Sequence, residues 1–93
     1  MLLSIHVAPG GEVIETATRQ LAEARVASGA IVAVVGAIDR CCISTMASED
    51  ATTDIMTSYA QPFELAGTGE VIDGRPHIHC TLAGAGHAAL AGH

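Results

Sequence analysis

The stretch Ile72-Asp73-Gly74-Arg75-Pro76-His77-Ile78-His79 constrains what this chain can fold into more than any other. Asp-Gly between two β-prone runs signals a hairpin, because a type I′ turn needs positive φ at both central residues and these two residues tolerate it. The turn predicts a strand over Phe63–Ile72 before it and a strand over His77–Leu82 after it. Successive side chains on a strand point to opposite faces. His77, His79 and Thr81 then share one face, while Ile78, Cys80 and Leu82 take the other, which is apolar throughout. Two imidazoles on one strand face form a candidate metal platform.

The rest of the chain supplies the frame. Leu2–Val7 reads as a short strand, broken by Pro9-Gly10-Gly11. A helix is expected over about residues 12–28, with Glu12 and Glu15 suited to the positive end of its dipole and apolar residues at Val13, Ile14, Ala17, Leu21 and Ala24. Ser28-Gly29 ends it, with Gly29 the expected left-handed cap. Ala30–Val35 is apolar on both faces and β-branched, which predicts a buried central strand, with Gly36 permitting a bend. Ile38–Met46 reads as a further strand, Ala47–Asp54 as a polar acidic loop, and Ile55–Tyr59 as a strand closed by the turn at Pro62. Gly67 and Gly69 predict a bulge or close backbone packing within Phe63–Ile72. Beyond Leu82 the chain passes into Ala and Gly, and no element is assigned there. One strand, one helix and several strands joined by short turns give an α+β fold: a single domain over 1–93, mainly antiparallel sheet packed with one principal helix.

Charge and composition exclude several function classes. The net charge is −6, and the four basic residues are Arg19, Arg25, Arg40 and Arg75, scattered along the chain. Phosphate backbones are held by clustered Lys and Arg, so direct nucleic-acid binding is not expected. No apolar run approaches the roughly 18–20 residues that span a bilayer, and Met-Leu-Leu-Ser lacks the basic start of a secretory leader. Of the three cysteines, Cys41 and Cys42 are adjacent, so no disulfide framework is apparent and a reducing cytoplasm is the expected compartment. The chain is 49% hydrophobic but only 2% aromatic, so its core must come from small aliphatic side chains. A core of that kind in a short chain predicts oligomerisation.

Several segments together resemble one family. They are Val34-Val35-Gly36-Ala37-Ile38, Gln61-Pro62-Phe63-Glu64-Leu65, the run from Gly69 through Asp73-Gly74-Arg75-Pro76-His77-Ile78-His79, and Ala91-Gly92-His93. In these the chain is similar to the PPC (plants and prokaryotes conserved) domain of the prokaryotic stand-alone type, over essentially its whole length. The resemblance implies an α+β fold with an antiparallel sheet, assembled as a homotrimer. It also implies a divalent metal, typically zinc, held by histidines near the subunit boundary. Carried over by position, the ligands are His77, His79 and His93, with His87 a weaker substitute. Family members usually run on past the small-small-His through one or two further strands. The family's C-terminal strands are therefore expected to be missing after His93, leaving an open sheet edge or one covered by a neighbouring subunit. Gly74-Arg75-Pro76 carries the letters of the AT-hook found in plant members, but without flanking basic residues it reads as a turn rather than a minor-groove binder.

Three histidines and an open fourth position would also suit catalysis. Glu64 and Glu70 are the acids nearest the motif, and Glu64 is the preferred general base because it lies in the resembling Pro-Phe-Glu-Leu segment. Arg75 is placed to orient an anionic ligand, or else to pair with Asp73 or Glu70. Cys80 falls on the apolar face, away from the histidines, and Cys41 and Cys42 point to opposite faces. No nucleophile elbow, Ser-His-Asp spacing or phosphate loop is present. The expected function is a metal-binding, homotrimeric module that binds a small molecule or protein partner in regulation or assembly. The alternative is a metal-dependent enzyme acting on a small molecule, and the net charge disfavours a DNA-binding role.

Overall fold

A computed structural model describes residues 1–93. The order of elements is α1 (Val13–Glu23), β1 (Gly29–Ile38), β2 (Cys41–Ala47), β3 (Asp50–Tyr59), β4 (Phe63–Ile72), β5 (Arg75–Ala83), a 3₁₀ turn over Ala85–His87, and β6 (Ala89–Gly92). The fold is α+β, with every strand pair antiparallel. β1, β4, β5 and β6 form a four-stranded sheet in the order β1-β4-β5-β6, and β2 and β3 form a two-stranded arm. No helix is long and apolar enough to cross a membrane.

The β4–β5 hairpin follows its sequence closely. Asp73 and Gly74 have φ of 52° and 75°, the two positive values that a type I′ turn requires. The Gly74 N–H also donates to the Ala27 carbonyl at 2.8 Å, tying the turn to the segment between α1 and β1. Close packing at Gly67 and Gly69 is present: a Cβ on either would press into the main chain of β5, at the carbonyl of His79 or of His77. The irregularity, however, falls in β1. Two residues of β1, Val32 and Ala33, stand between the Ile31–Gly69 and Val34–Gly67 pairs, where β4 has Thr68 alone.

Other elements depart from the sequence reading. The helix stops at Glu23 rather than near residue 28. Its end is a Schellman motif, with the Arg25 N–H donating to the Ala22 carbonyl (3.1 Å) and the Val26 N–H to the Leu21 carbonyl (2.9 Å). Arg25, with φ 57°, takes the left-handed position expected of Gly29, which instead begins β1. A side chain in that conformation costs about 1 kcal/mol. Arg25→Gly is therefore expected to raise the free energy of unfolding by about 1 kcal/mol, as measured by urea denaturation.

Leu2–Val7 belongs to neither sheet. Ala30–Val35, expected to be buried and central, lies in an edge strand whose sole partner is β4. Val32 and Val35 are 76% and 82% exposed. The expectation of a buried central strand fails, because apolarity on both faces does not settle whether a strand lies at the edge or the centre of its sheet. The expected strand over Ile38–Met46 is interrupted at Asp39 and Arg40, between β1 and β2. The expected loop over Ala47–Asp54 shrinks to a turn at Ser48 and Glu49, with β3 already under way at Asp50. Thr52 and Thr53 are β-branched, and their hydroxyls donate to the Asp50 carboxylate (2.6 and 2.7 Å), as does the Thr52 N–H (2.9 Å). These bonds hold the Asp50 carboxyl at a pKa of about 2, against an ordinary 3.8. Because the folded value is depressed, its contribution is full above the ordinary value and fades as pH falls from about 4 towards 2. A carbon-detected NMR titration is expected to place the Asp50 midpoint near 2.

The core is small. Ala17, Leu21, Phe63, Val71 and Leu82 are its buried apolar residues, with Leu82 fully enclosed. Tyr59 and Phe63, the two aromatic side chains, meet edge to face at 5.8 Å across the β3–β4 connection. α1 packs on the sheet face that carries Leu82. The opposite face is uncovered. Directly opposed residues share a face, so it carries Glu70, Thr68 and Ala66 of β4, opposite His77, His79 and Thr81 of β5. Ala30 and Val35 of the edge strand extend it.

Candidate metal centre

The hairpin turn sets the register that builds the site. With Ile72 opposite Arg75, counting two residues outward on each strand places Glu70 opposite His77. His79 follows on the same face opposite Thr68. The Nδ1 of His77 lies 2.9 Å from Oε1 of Glu70, and the Nε2 of His79 lies 3.7 Å from the same oxygen. One ligand atom from each of Glu70, His77 and His79 falls within 4.8 Å of the others, a group that could hold a metal ion. Tetrahedral zinc with bonds of about 2.0–2.1 Å sets neighbouring ligand atoms roughly 3.3 Å apart. The 2.9 and 3.7 Å separations from the shared Glu70 oxygen straddle that spacing, and the two histidine donors lie within 4.8 Å of each other. The hydrogen bond from His77, reinforced by the charges of both histidines, holds the Glu70 carboxyl below its ordinary value and keeps it anionic.

His93 packs beside this group from outside β5, although the donor atoms that lie within 4.8 Å of one another are those of Glu70, His77 and His79 alone. Its ring stands edge-on to that of His77 with centroids 4.8 Å apart, and its centroid lies 5.8 Å from that of His79. Its main chain is pinned to β2: the Ser44 N–H donates to the His93 carbonyl (2.8 Å) and the His93 N–H to the Ser44 carbonyl (3.0 Å). Its Nε2 faces Oδ1 of Asp54 on β3 at 3.7 Å.

The other candidates lie elsewhere. Glu64 sits opposite Ala83 at the far end of β4. Six residues separate it from Glu70, which at the strand rise is about 20 Å. Arg75 lies opposite Ile72 beside the turn, where it lines a shallow open depression with Ile72, Asp73, Pro76 and His77. It makes no ion pair with Asp73 or Glu70; Glu70 is engaged by the histidines instead. His87 lies in the 3₁₀ turn with φ 63° and is not among the grouped donors. Cys80 is half-buried on the face opposite the histidines, and burial raises its thiol pKa and that of Cys41. Asp54 was hidden within the expected loop, since its approach to His93 depends on a contact between distant strands.

The family model of the Plants and Prokaryotes Conserved (PCC) domain matches residues 2–93. The chain belongs to the PCC domain family. The match takes in the β4–β5 hairpin and its histidines, so the cluster is part of the PCC domain itself. No curated protein and no solved structure matches the chain significantly.

Proposed function

We propose that this PCC domain is a metal-binding assembly module, in which one zinc ion per chain is held by Glu70, His77 and His79 with His93 alongside, at the boundary between subunits of a homotrimer. The observation that carries the reading is the convergence of the Glu70, His77 and His79 donor atoms within 4.8 Å of one another. Two imidazoles and a carboxylate form one of the donor sets that zinc accepts, with a fourth position that His93 or a water can take. The same set also suits iron(II), so the identity of the metal is part of the test.

Assembly is supported by what the single chain leaves bare. Val35 is largely exposed on the sheet face that also carries the histidines, and Val32, in the irregular part of the same edge strand, is largely exposed as well. In the arm, Met46, Ile55 and Met56 are 59%, 49% and 65% exposed. A sheet face and a projecting arm on one molecule are different surfaces, and contacts between unlike surfaces close into rings when the rotation permits. A trimer joined in this way would bury the open face and bring the metal to its margin. The module would then bind a small molecule or a protein partner in a regulatory role.

Elemental analysis of protein purified without added metal, with mass in solution by light scattering before and after chelation, tests the reading. It predicts about one zinc per chain and a trimer that weakens when the metal is removed. A metal-free trimer, or a stable monomer, would overturn it.

The depression beside His77, lined by Arg75, favours a second reading in which the open coordination position serves catalysis on a small anionic molecule. In that case chelation would abolish turnover while leaving the mass unchanged.

A further inference from the structure

We propose that Asp54 is a positioning residue for His93, and that through this pair metal binding clamps the β2–β3 arm to the four-stranded sheet. The proposal rests on the reading of Glu70, His77 and His79 as a metal site and extends it to a residue in a different sheet.

The arm meets the four-stranded sheet along β6, where Ile43 lies against Gly92. A two-stranded hairpin is marginal alone in water. Away from the chain connections, its backbone hydrogen bonds to the rest of the molecule are the reciprocal pair between Ser44 and His93. Asp54 stands opposite Met46, two residues beyond Ser44, so its carboxylate reaches back across β2 towards the imidazole of the residue that Ser44 pins. With Nε2 of His93 facing Asp54 at 3.7 Å, Nδ1 is the nitrogen left for the metal cluster. A movement of under about 1 Å would close the approach to a hydrogen bond. A carboxylate accepting the second ring N–H of a metal-ligating histidine fixes its tautomer and orientation, and losing such a partner costs 10–100-fold in metal affinity. His93 is therefore the joint: its ring abuts His77, its backbone belongs to β2, and its far nitrogen faces β3.

The test uses zinc titration together with hydrogen exchange of the amides of β2 and β3, on the full chain. Wild type should gain arm protection on binding zinc. Asp54→Asn should bind zinc about 10-fold more weakly and lose that gain, and Asp54→Glu should restore part of both. Because Asp54→Asn could loosen the arm by itself, His93→Ala and the double variant complete a thermodynamic cycle. If Asp54 acts through His93, the asparagine substitution costs no further affinity once His93 is alanine. An undiminished cost in the His93→Ala background, or unchanged affinity and protection in Asp54→Asn, would overturn the proposal while leaving the metal site standing. A wild type that binds no zinc would overturn both.

Discussion

His77→Ala is expected to lose at least about 100-fold in zinc affinity, because losing even an outer partner of a metal ligand costs 10–100-fold. The variant should remain folded. The His77 side chain is 46% exposed and lies on the uncovered face, so its removal opens no cavity. A second readout needs no metal. His77 is the main cause of the low carboxyl pKa of Glu70. In the metal-free variant, the Glu70 titration should therefore move up towards its ordinary value of 4.5. By linkage, a depressed carboxyl stabilises the fold above its unfolded pKa and loses that contribution as pH falls through the folded value, so the variant should show a weaker acid dependence there. Zinc titration by calorimetry and NMR titration of Glu70 check the two halves. Unchanged affinity would remove His77 from the site.

Gly69→Ala should act on the scaffold instead. A Cβ at Gly69 would be driven into the carbonyl of His77, with the His77 carbonyl carbon and Ile78 Cα close behind, and none of these is the far end of a flexible side chain. The strands must separate or slip, at a cost of about 3 kcal/mol, the upper end for overpacking. The same displacement would draw Glu70 away from His77, since Glu70 is the next residue along β4. Urea unfolding should therefore show a large loss of stability together with weakened zinc binding. The same measurement on Gly36→Ala is the control: a Cβ there meets nothing within 4 Å, so stability should be nearly unchanged. Equal behaviour of the two variants would contradict close packing at Gly69.

The parts of the fold that could be read from sequence were those set by local chemistry. The Asp-Gly turn determined its own backbone and, through alternation, the faces of β5. The same turn also fixes register, so the pairing of Glu70 with His77 was available by counting outward from Asp73-Gly74. Glu64 was preferred on family resemblance, and the structure sets it at the far end of β4. Edge and centre could not be told apart for Ala30–Val35, because an apolar β-branched run suits either position in a sheet. Asp50–Asp54 looked like a loop because it is polar. Polarity there reflects a strand exposed along nearly its whole length. The approach of Asp54 to His93 joins residues far apart in the chain and left no local trace.

X-ray absorption at the zinc edge tests the central claim most directly, because it reads the donors around the ion. Zinc-loaded protein is predicted to show only nitrogen and oxygen neighbours at about 2.0–2.1 Å, with the outer-shell scattering of at least two imidazoles. In Glu70→Gln the spectrum should change. A sulfur neighbour at about 2.3 Å would place the metal on a cysteine and contradict the Glu70, His77 and His79 site.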